Sequence, residues 1–207
     1  MDTHRRTLLL LTGASALGAT VTRAQTAMRI DLERTPYLTA LTGSGPVPTW
    51  SLVEEEGRKV LAQTSADRTD NRFPLAIFEQ PVATDLDVAA RFKPVAGEVD
   101  RAGGIALRLA DKDNYYVVRA NALENNVRLY RVVRGQRIQF AGADARVPSG
   151  VWQDLRVTAR GTRFEVFLDG KSLYGATDAT FANAGRVALW TKADSVTRFD
   201  DLRITTF

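Results

Sequence analysis

The chain has 207 residues, 44% hydrophobic and 25% charged, with 15 Gly, 7 Pro, no Cys and one His, which fits a single ordinary domain. With no Cys, and its one His at position 4, the body of the chain excludes Cys/His zinc sites, histidine-based triads, haem attachment and disulfide staples. The net charge of +4 falls to +2 once Arg5, Arg6, Arg23 and Asp2 are set aside, too near neutral to point to nucleic acid; Arg131, Arg134 and Arg137 read as solvated turn and strand positions.

Residues 1–24 read as an export signal. Arg5 and Arg6 precede the apolar run Leu8 to Leu11 and a small-residue stretch from Gly13 to Val21, and Thr22-Arg23-Ala24 offers a small-x-Ala cleavage site before Gln25. His4-Arg5-Arg6-Thr7-Leu8-Leu9 resembles the twin-arginine motif of leaders that export folded proteins; a Sec leader with a basic start is the alternative. The expected location is periplasmic or extracellular. Without a Cys at the cleavage point there is no lipoprotein anchor, and no later stretch is long and apolar enough to span a bilayer.

Residues 25–207 read as one domain. Its first part, 25–57, is less regular, with Gly43-Ser44-Gly45-Pro46 and Pro48, and is expected to wrap an edge. Beyond it, period-2 alternation recurs in short segments. Leu86, Val88, Ala90 and Phe92 share one face, and Ile105, Leu107 and Leu109, then Leu155, Val157 and Ala159, then Phe164, Val166 and Leu168, repeat the pattern. Asp111-Lys112-Asp113-Asn114, Arg134-Gly135, Pro148-Ser149-Gly150, Arg160-Gly161 and Asp169-Gly170 are turn-competent. About a dozen strands cannot share one open sheet without exposing an apolar face, so the pattern predicts an all-β fold: two antiparallel sheets packed as a jelly-roll β-sandwich.

A four-residue turn at Asp111 to Asn114 would set Arg108 opposite Val117. A second at Ala122 to Asn125 sets Arg119 opposite Arg128, Val117 opposite Tyr130 and Asn121 opposite Asn126. Val118, Ala120, Val127 and Leu129 then share the buried face with Leu107 and Leu109, while Arg108, Tyr115, Arg119, Asn121, Asn126, Arg128 and Tyr130 line the other. Rings beside forked donors and amides suit a sugar, whose C–H face stacks and whose hydroxyls hydrogen-bond. The same face also reads as plain solvent surface. Arg119 and Arg128 repel unless an anion intervenes, either Glu124 from the turn or an acidic ligand group.

Trp190, beside Lys192, is a candidate stacking residue; Trp152 reads as structural. Strand parity slips at Asp200-Asp201, where a bulge would turn one carboxylate toward the sheet edge; the pair then reads either as a Ca²⁺ site or as two exposed acids. No carboxylate pair suited to glycoside hydrolysis stands out: Asp169 opens an Asp-Gly turn, and Glu54-Glu55-Glu56 is a surface charge run.

Ala102-Gly103-Gly104-Ile105, Asp113 through Val127, Val151-Trp152-Gln153-Asp154-Leu155-Arg156-Val157, Phe167-Leu168-Asp169-Gly170, Val187 through Ser195 and Phe199-Asp200-Asp201-Leu202 together resemble exported bacterial concanavalin A-like domains. These stand close to the laminin-G-like and 3-keto-disaccharide hydrolase-type groups. The resemblance implies a jelly-roll sandwich whose concave sheet handles carbohydrate. Phe199 through Ile204 also resembles the closing strand of family 16 glycoside hydrolases, where an acid at the place of Asp200 holds a structural calcium; their Glu-x-Asp-x-Glu catalytic strand is missing, which argues against glucanase activity. The keto-sugar enzymes need a base and an electrophile, roles that Glu124 with Arg119 or Arg128 would fill. Three functions follow as expectations: an exported carbohydrate-binding domain, a periplasmic 3-keto-glycoside hydrolase or lyase, or a laminin-G-like protein-interaction module.

Overall fold

The computed structural model describes residues 25–207. The leader read in residues 1–24 lies outside the described residues. Among those described there is no helix, and none is long and apolar enough to cross a membrane. Fifteen strands run in chain order: β1 (Thr26–Ile30), β2 (Tyr37–Gly43), β3 (Trp50–Glu55), β4 (Arg58–Gln63), β5 (Arg72–Ala83), β6 (Leu86–Ala96), β7 (Ala102–Asp111), β8 (Asn114–Asn121), β9 (Asn126–Val133), β10 (Gln136–Asp144), β11 (Gln153–Arg160), β12 (Arg163–Leu168), β13 (Lys171–Thr177), β14 (Gly185–Trp190) and β15 (Val196–Thr206).

They form two antiparallel sheets. The first has the order β13-β12-β11-β6-β15-β4-β3, with β1 joining the far half of β15; the second has the order β10-β9-β8-β7-β14-β5-β2. Strands β2 and β3, from the less regular first part of the domain, are outermost in the two sheets. Leu86, Val88, Ala90 and Phe92 of β6 meet Leu155, Val157 and Ala159 of β11 and Phe164, Val166 and Leu168 of β12 in the core between the sheets, as alternation requires.

The second sheet is apolar on both faces. Phe73, Leu75, Tyr115, Val117, Tyr130, Val132 and Trp190 form a separate buried cluster on the side away from the first sheet. They are covered because the sheet curls: Thr42 of β2, at one edge, bonds through its hydroxyl to the Lys112 carbonyl and, at 2.9 Å, to the Tyr115 hydroxyl. From the opposite edge Arg137 of β10 reaches to 5.0 Å from the Phe73 ring of β5. The concave face is therefore largely filled by its own side chains.

Two registers test the hairpin reading. Between β8 and β9, Arg119 faces Arg128, Val117 faces Tyr130 and Asn121 faces Asn126, as expected. Between β7 and β8 the expectation fails: Leu107 pairs with Tyr116, Val117 sits opposite Ala106, and the register slips before Asp111 meets Asn114. Arg108 lies at this bulge with φ 49°, and Gly185 of β14 packs on it so tightly that a Cβ would stand 2.3 Å from the Arg108 carbonyl carbon. The slip sends Arg108 to the inter-sheet side and Leu109 to the concave side, the reverse of the sequence reading.

Candidate functional site

Three loops and a hairpin meet at one end of the concave face. Strand β8 brings Arg119 and Asn121, the β8–β9 turn brings Glu124 and β9 starts with Asn126. Arg119 Nη2 donates to Glu124 Oε2 and to Asn126 Oδ1, both at 2.7 Å, and Asn126 Nδ2 donates to the same Glu124 oxygen at 2.9 Å. Arg128 instead runs past Gly142 to Asp144 at 2.7 Å. The two facing arginines thus each hold a separate acid, which relieves the repulsion their register imposes.

The loop before β7 supplies Asp100, and the loop after β14 supplies Lys192. Lys192 Nζ stands 3.3 Å from Asp100 Oδ2 and pairs also with Asp70, while Arg119 Nη1 is 3.7 Å from the same Asp100 oxygen. Asp100 is 1% exposed, yet neither of its oxygens accepts an aligned hydrogen bond among the described residues. Nearby, Arg119 Nε, Asn121 Nδ2 and Arg137 Nη1 are likewise buried without a partner. Such atoms are rare in folded proteins, and five of the thirteen among the described residues belong to this network; others, such as Trp50 Nε1, Gln153 Oε1 and the Tyr174 hydroxyl, lie in the first sheet.

Burial raises the Asp100 carboxyl above the ordinary carboxylate range, with Arg119 and Lys192 pulling the other way. Burial also opposes charge on Glu124, but the hydrogen bonds from Arg119 and Asn126 outweigh it and hold this carboxyl below its usual value. Arg137 spreads its guanidinium 4.5 Å from the Tyr130 ring centre and 5.7 Å from that of Trp190, and burial lowers its pKa. A cleft of 210 Å³ lined by Gly43, Asn71, Phe73, Gly135, Gln136 and Arg137 opens beside it.

Backbone geometry holds the loops in place. Asp194 takes the N–H groups of Glu98 (2.7 Å), Val99 (3.1 Å) and Asp100 (3.0 Å) on its carboxylate, so one acid shapes the whole turn that carries Asp100. Ser195 Oγ accepts from the Ala102 N–H at 3.0 Å, and Arg72 donates to the Ala193 carbonyl at 2.9 Å.

The structure brings Arg119, Asn121, Glu124, Asn126 and Tyr130 together, and places Arg128 beside them but engaged elsewhere. Tyr115 and Trp190 are on this face but are not the accessible platform the sequence suggests: both are 0% exposed, the Trp190 indole donates to the Tyr115 hydroxyl at 3.3 Å, and burial pushes that hydroxyl up to about 12. Arg108 is not part of the site. Its guanidinium is buried between the sheets and donates to the carbonyls of Thr84, Phe181 and Gly161. Asp200 and Asp201 lie on β15 of the other sheet, at a bulge where Asp201 has φ 50°. Asp200 pairs with Arg58 at 2.9 Å and Asp201 with Arg29 at 2.7 Å, and among the described residues no group of three metal-ligating side chains forms.

Sequence reasoning missed Asp100, Asp70 and Asp194, and it took Arg137 for a solvated position. Lys192 was within reach, since it follows two residues after Trp190, at the start of the loop that leaves β14.

No family model and no curated protein matches the sequence. In structure the chain is similar to the carbohydrate-binding module CBM66 from Bacillus subtilis, at 19% identity over 80% of this chain and 94% of that one, with a TM-score of 0.62. It is also similar to the alginate lyase vAL-1 from Chlorella virus, at 10% identity over 87% and 99% with a TM-score of 0.61. A Bacillus subtilis protein of unknown function with a galectin-like fold aligns at 9% identity over 84% and 90%, with a TM-score of 0.58. These likenesses define the fold: an all-β sandwich of two antiparallel sheets, similar to one described as galectin-like. At such identities they speak to fold alone.

Proposed function

We propose that this chain is a carbohydrate-binding β-sandwich that takes its sugar at the polar end of the concave face, where Asp100, Arg119, Glu124 and Lys192 converge beside Tyr130 and Arg137. The observation that carries the reading is the charged chain there, buried at Arg119, Asp100 and Lys192 and open to solvent at its two ends, where the side chains of Glu124 and Asp70 are 50% and 66% exposed. Sugar hydroxyls both donate and accept, so a ring resting on this rim can donate to Glu124 and Asp70, which Arg119 and Lys192, anchored on the buried Asp100, hold in place. The fold shared with a carbohydrate-binding module supports it, and the leader read in residues 1–24 would deliver the domain to the periplasm or beyond. The enzyme alternative draws no support from Glu124: a carboxylate held low and bonded to both Arg119 and Asn126 is suited to orienting that arginine, not to taking a proton from carbon.

The test is retention on a panel of cell-wall polysaccharides together with a glycan array, using wild type, Asp100→Asn and Arg119→Ala. Asp100→Asn removes a buried charge while leaving Arg119 its Glu124 and Lys192 its Asp70, so the variant stays folded with an unchanged or raised melting temperature. It loses about tenfold or more in retention. Full retention in both variants would discard the proposal.

A further inference from the structure

The outer face of the first sheet carries a second candidate site, unrelated to the concave one. Strand parity places Trp152, just ahead of β11, on the outward side with Asp154 and Arg156, while Gln153 and Leu155 turn inward. The indole is half-buried and ringed by cations from different strands. Arg91 of β6 stands 5.0 Å from the ring centre, and Arg58 of β4 and Lys93 of β6 stand 6.0 Å away. A fourth cation, Arg198 of β15, joins them by pairing with Glu55, which also receives Lys93 at 2.7 Å.

The acids of this cluster lie at its floor. Glu55 is 5% exposed and Asp200, which holds Arg58 and Arg91, is 17% exposed, whereas Arg58 and Arg91 are 41% and 33% exposed. A third acid, Glu56, stands at the rim, 3.9 Å from Lys93. Three arginines, Arg58, Arg91 and Arg198, therefore overlie two sunken carboxylates with Lys93 between, so the surface turned to solvent is basic around one aromatic face. Beyond it the positive excess stops: the cleft past Asp200 sets Asp31, Glu33 and Asp201 against Arg29 and Lys59, and Asp154 belongs to Arg203.

We infer that Trp152 and its cations form a binding site for an acidic polysaccharide, a chain of uronate sugars. The indole takes the C–H face of one ring, and Arg58 and Arg91 turn from Asp200 to the ring carboxylate, to which a forked guanidinium donates two bonds. A neutral glycan would leave the cation excess unused. A nucleic acid would need the positive track to continue along the sheet, and Asp31, Glu33 and Asp154 interrupt it.

Tryptophan fluorescence titration and affinity electrophoresis of the whole chain with polygalacturonate and with alginate test this, with fully methyl-esterified polygalacturonate and single-stranded DNA as controls. Wild type binds at least one acidic polymer, weakens as salt rises, and binds the methyl ester about tenfold or more weakly. Trp152→Ala and Arg58→Gln each lose about tenfold; Asp200 keeps Arg91 in Arg58→Gln, and a cooperative melting transition shows that this variant is folded. Asp100→Asn binds these polymers as wild type does, which separates this site from the concave one. Failure of wild type to bind either acidic polymer, equal binding of the methyl ester or of DNA, or wild-type binding by Arg58→Gln would each overturn the assignment.

Discussion

Asp194 is the single side chain on which the geometry of the concave site most depends. It is 3% exposed, and its two oxygens accept three consecutive N–H groups, those of Glu98, Val99 and Asp100. The turn is tight: Gly97 sits at φ +136°, where a Cβ would stand 1.9 Å from the Asp100 carbonyl oxygen. In Asp194→Ala all three donors lose their acceptor. Glu98 and Val99 are exposed and can turn to water, but Asp100 is not, so the cost is that of one orphaned buried N–H and two weakened charge-assisted bonds, about 2–4 kcal/mol. In Asp194→Asn the oxygen serving Val99 and Asp100 can stay, while the other, which takes Glu98 and a second, longer bond from Val99, becomes an opposed donor, for about 1–2 kcal/mol. Urea unfolding at neutral pH reads the difference: with a slope of about 2 kcal/mol/M, the alanine midpoint falls by about 1–2 M and the asparagine midpoint by roughly half of that. Retention on the wild type's glycan falls in the same order, since a turn that no longer holds its shape no longer anchors Asp100 between Arg119 and Lys192. An alanine variant within about 0.5 kcal/mol of wild type, or one that unfolds early yet keeps full retention, would refute the reasoning.

Arg108→Met should cost about 3–5 kcal/mol in the same unfolding experiment, because three carbonyls from three loops lose one buried guanidinium; the folded fraction should bind glycan as before, and a loss below about 1 kcal/mol would show that the loops hold themselves. Glu124 is held below its usual pKa, so its contribution is complete above that usual value and is lost as the pH falls through the lowered one; Glu124→Gln should flatten the acid limb of the stability profile, and an unchanged limb would place the linkage elsewhere. Asp200 and Asp201 are already neutralised by Arg58, Arg91, Arg29 and Arg203, which calcium would have to displace, so neither added calcium nor a chelator should move the melting temperature; a rise of several degrees with calcium would assign them to a metal.

The sandwich was readable where one face of a strand is apolar and the other is not. Leu86 to Phe92 and Leu155 to Ala159 alternate because their outer neighbours, such as Asp87, Arg91 and Arg156, meet solvent and one another. The second sheet hid its design because it is buried on both sides. In Tyr115-Tyr116-Val117-Val118 alternate members enter different cores, and such unbroken apolar runs are the mark of two-sided burial. The bulge at Arg108 was invisible for the same reason: Ile105, Leu107 and Leu109 alternate without a break, and either parity of Leu109 finds an apolar home.

Within the candidate site the division follows topology. The β8–β9 hairpin could be paired from its turn, so Arg119, Asn121, Asn126 and the nearby Glu124 came together, and the clash of Arg119 with Arg128 correctly demanded an acid. Asp100, Lys192 and Asp70 arrive from strands and loops that become neighbours only through the order β8-β7-β14-β5, in which β14 inserts between strands far from it in sequence. No local periodicity encodes that insertion. The charged chain from Glu124 through Arg119, Asp100 and Lys192 to Asp70 therefore starts on the β8–β9 hairpin, which a short turn fixes, and then crosses three further pairings, β8–β7, β7–β14 and β14–β5. A site built this way transmits the loss of any one loop to the rest, which is why the Asp194 turn, with no side chain offered to a ligand, is expected to govern whether the concave face binds at all.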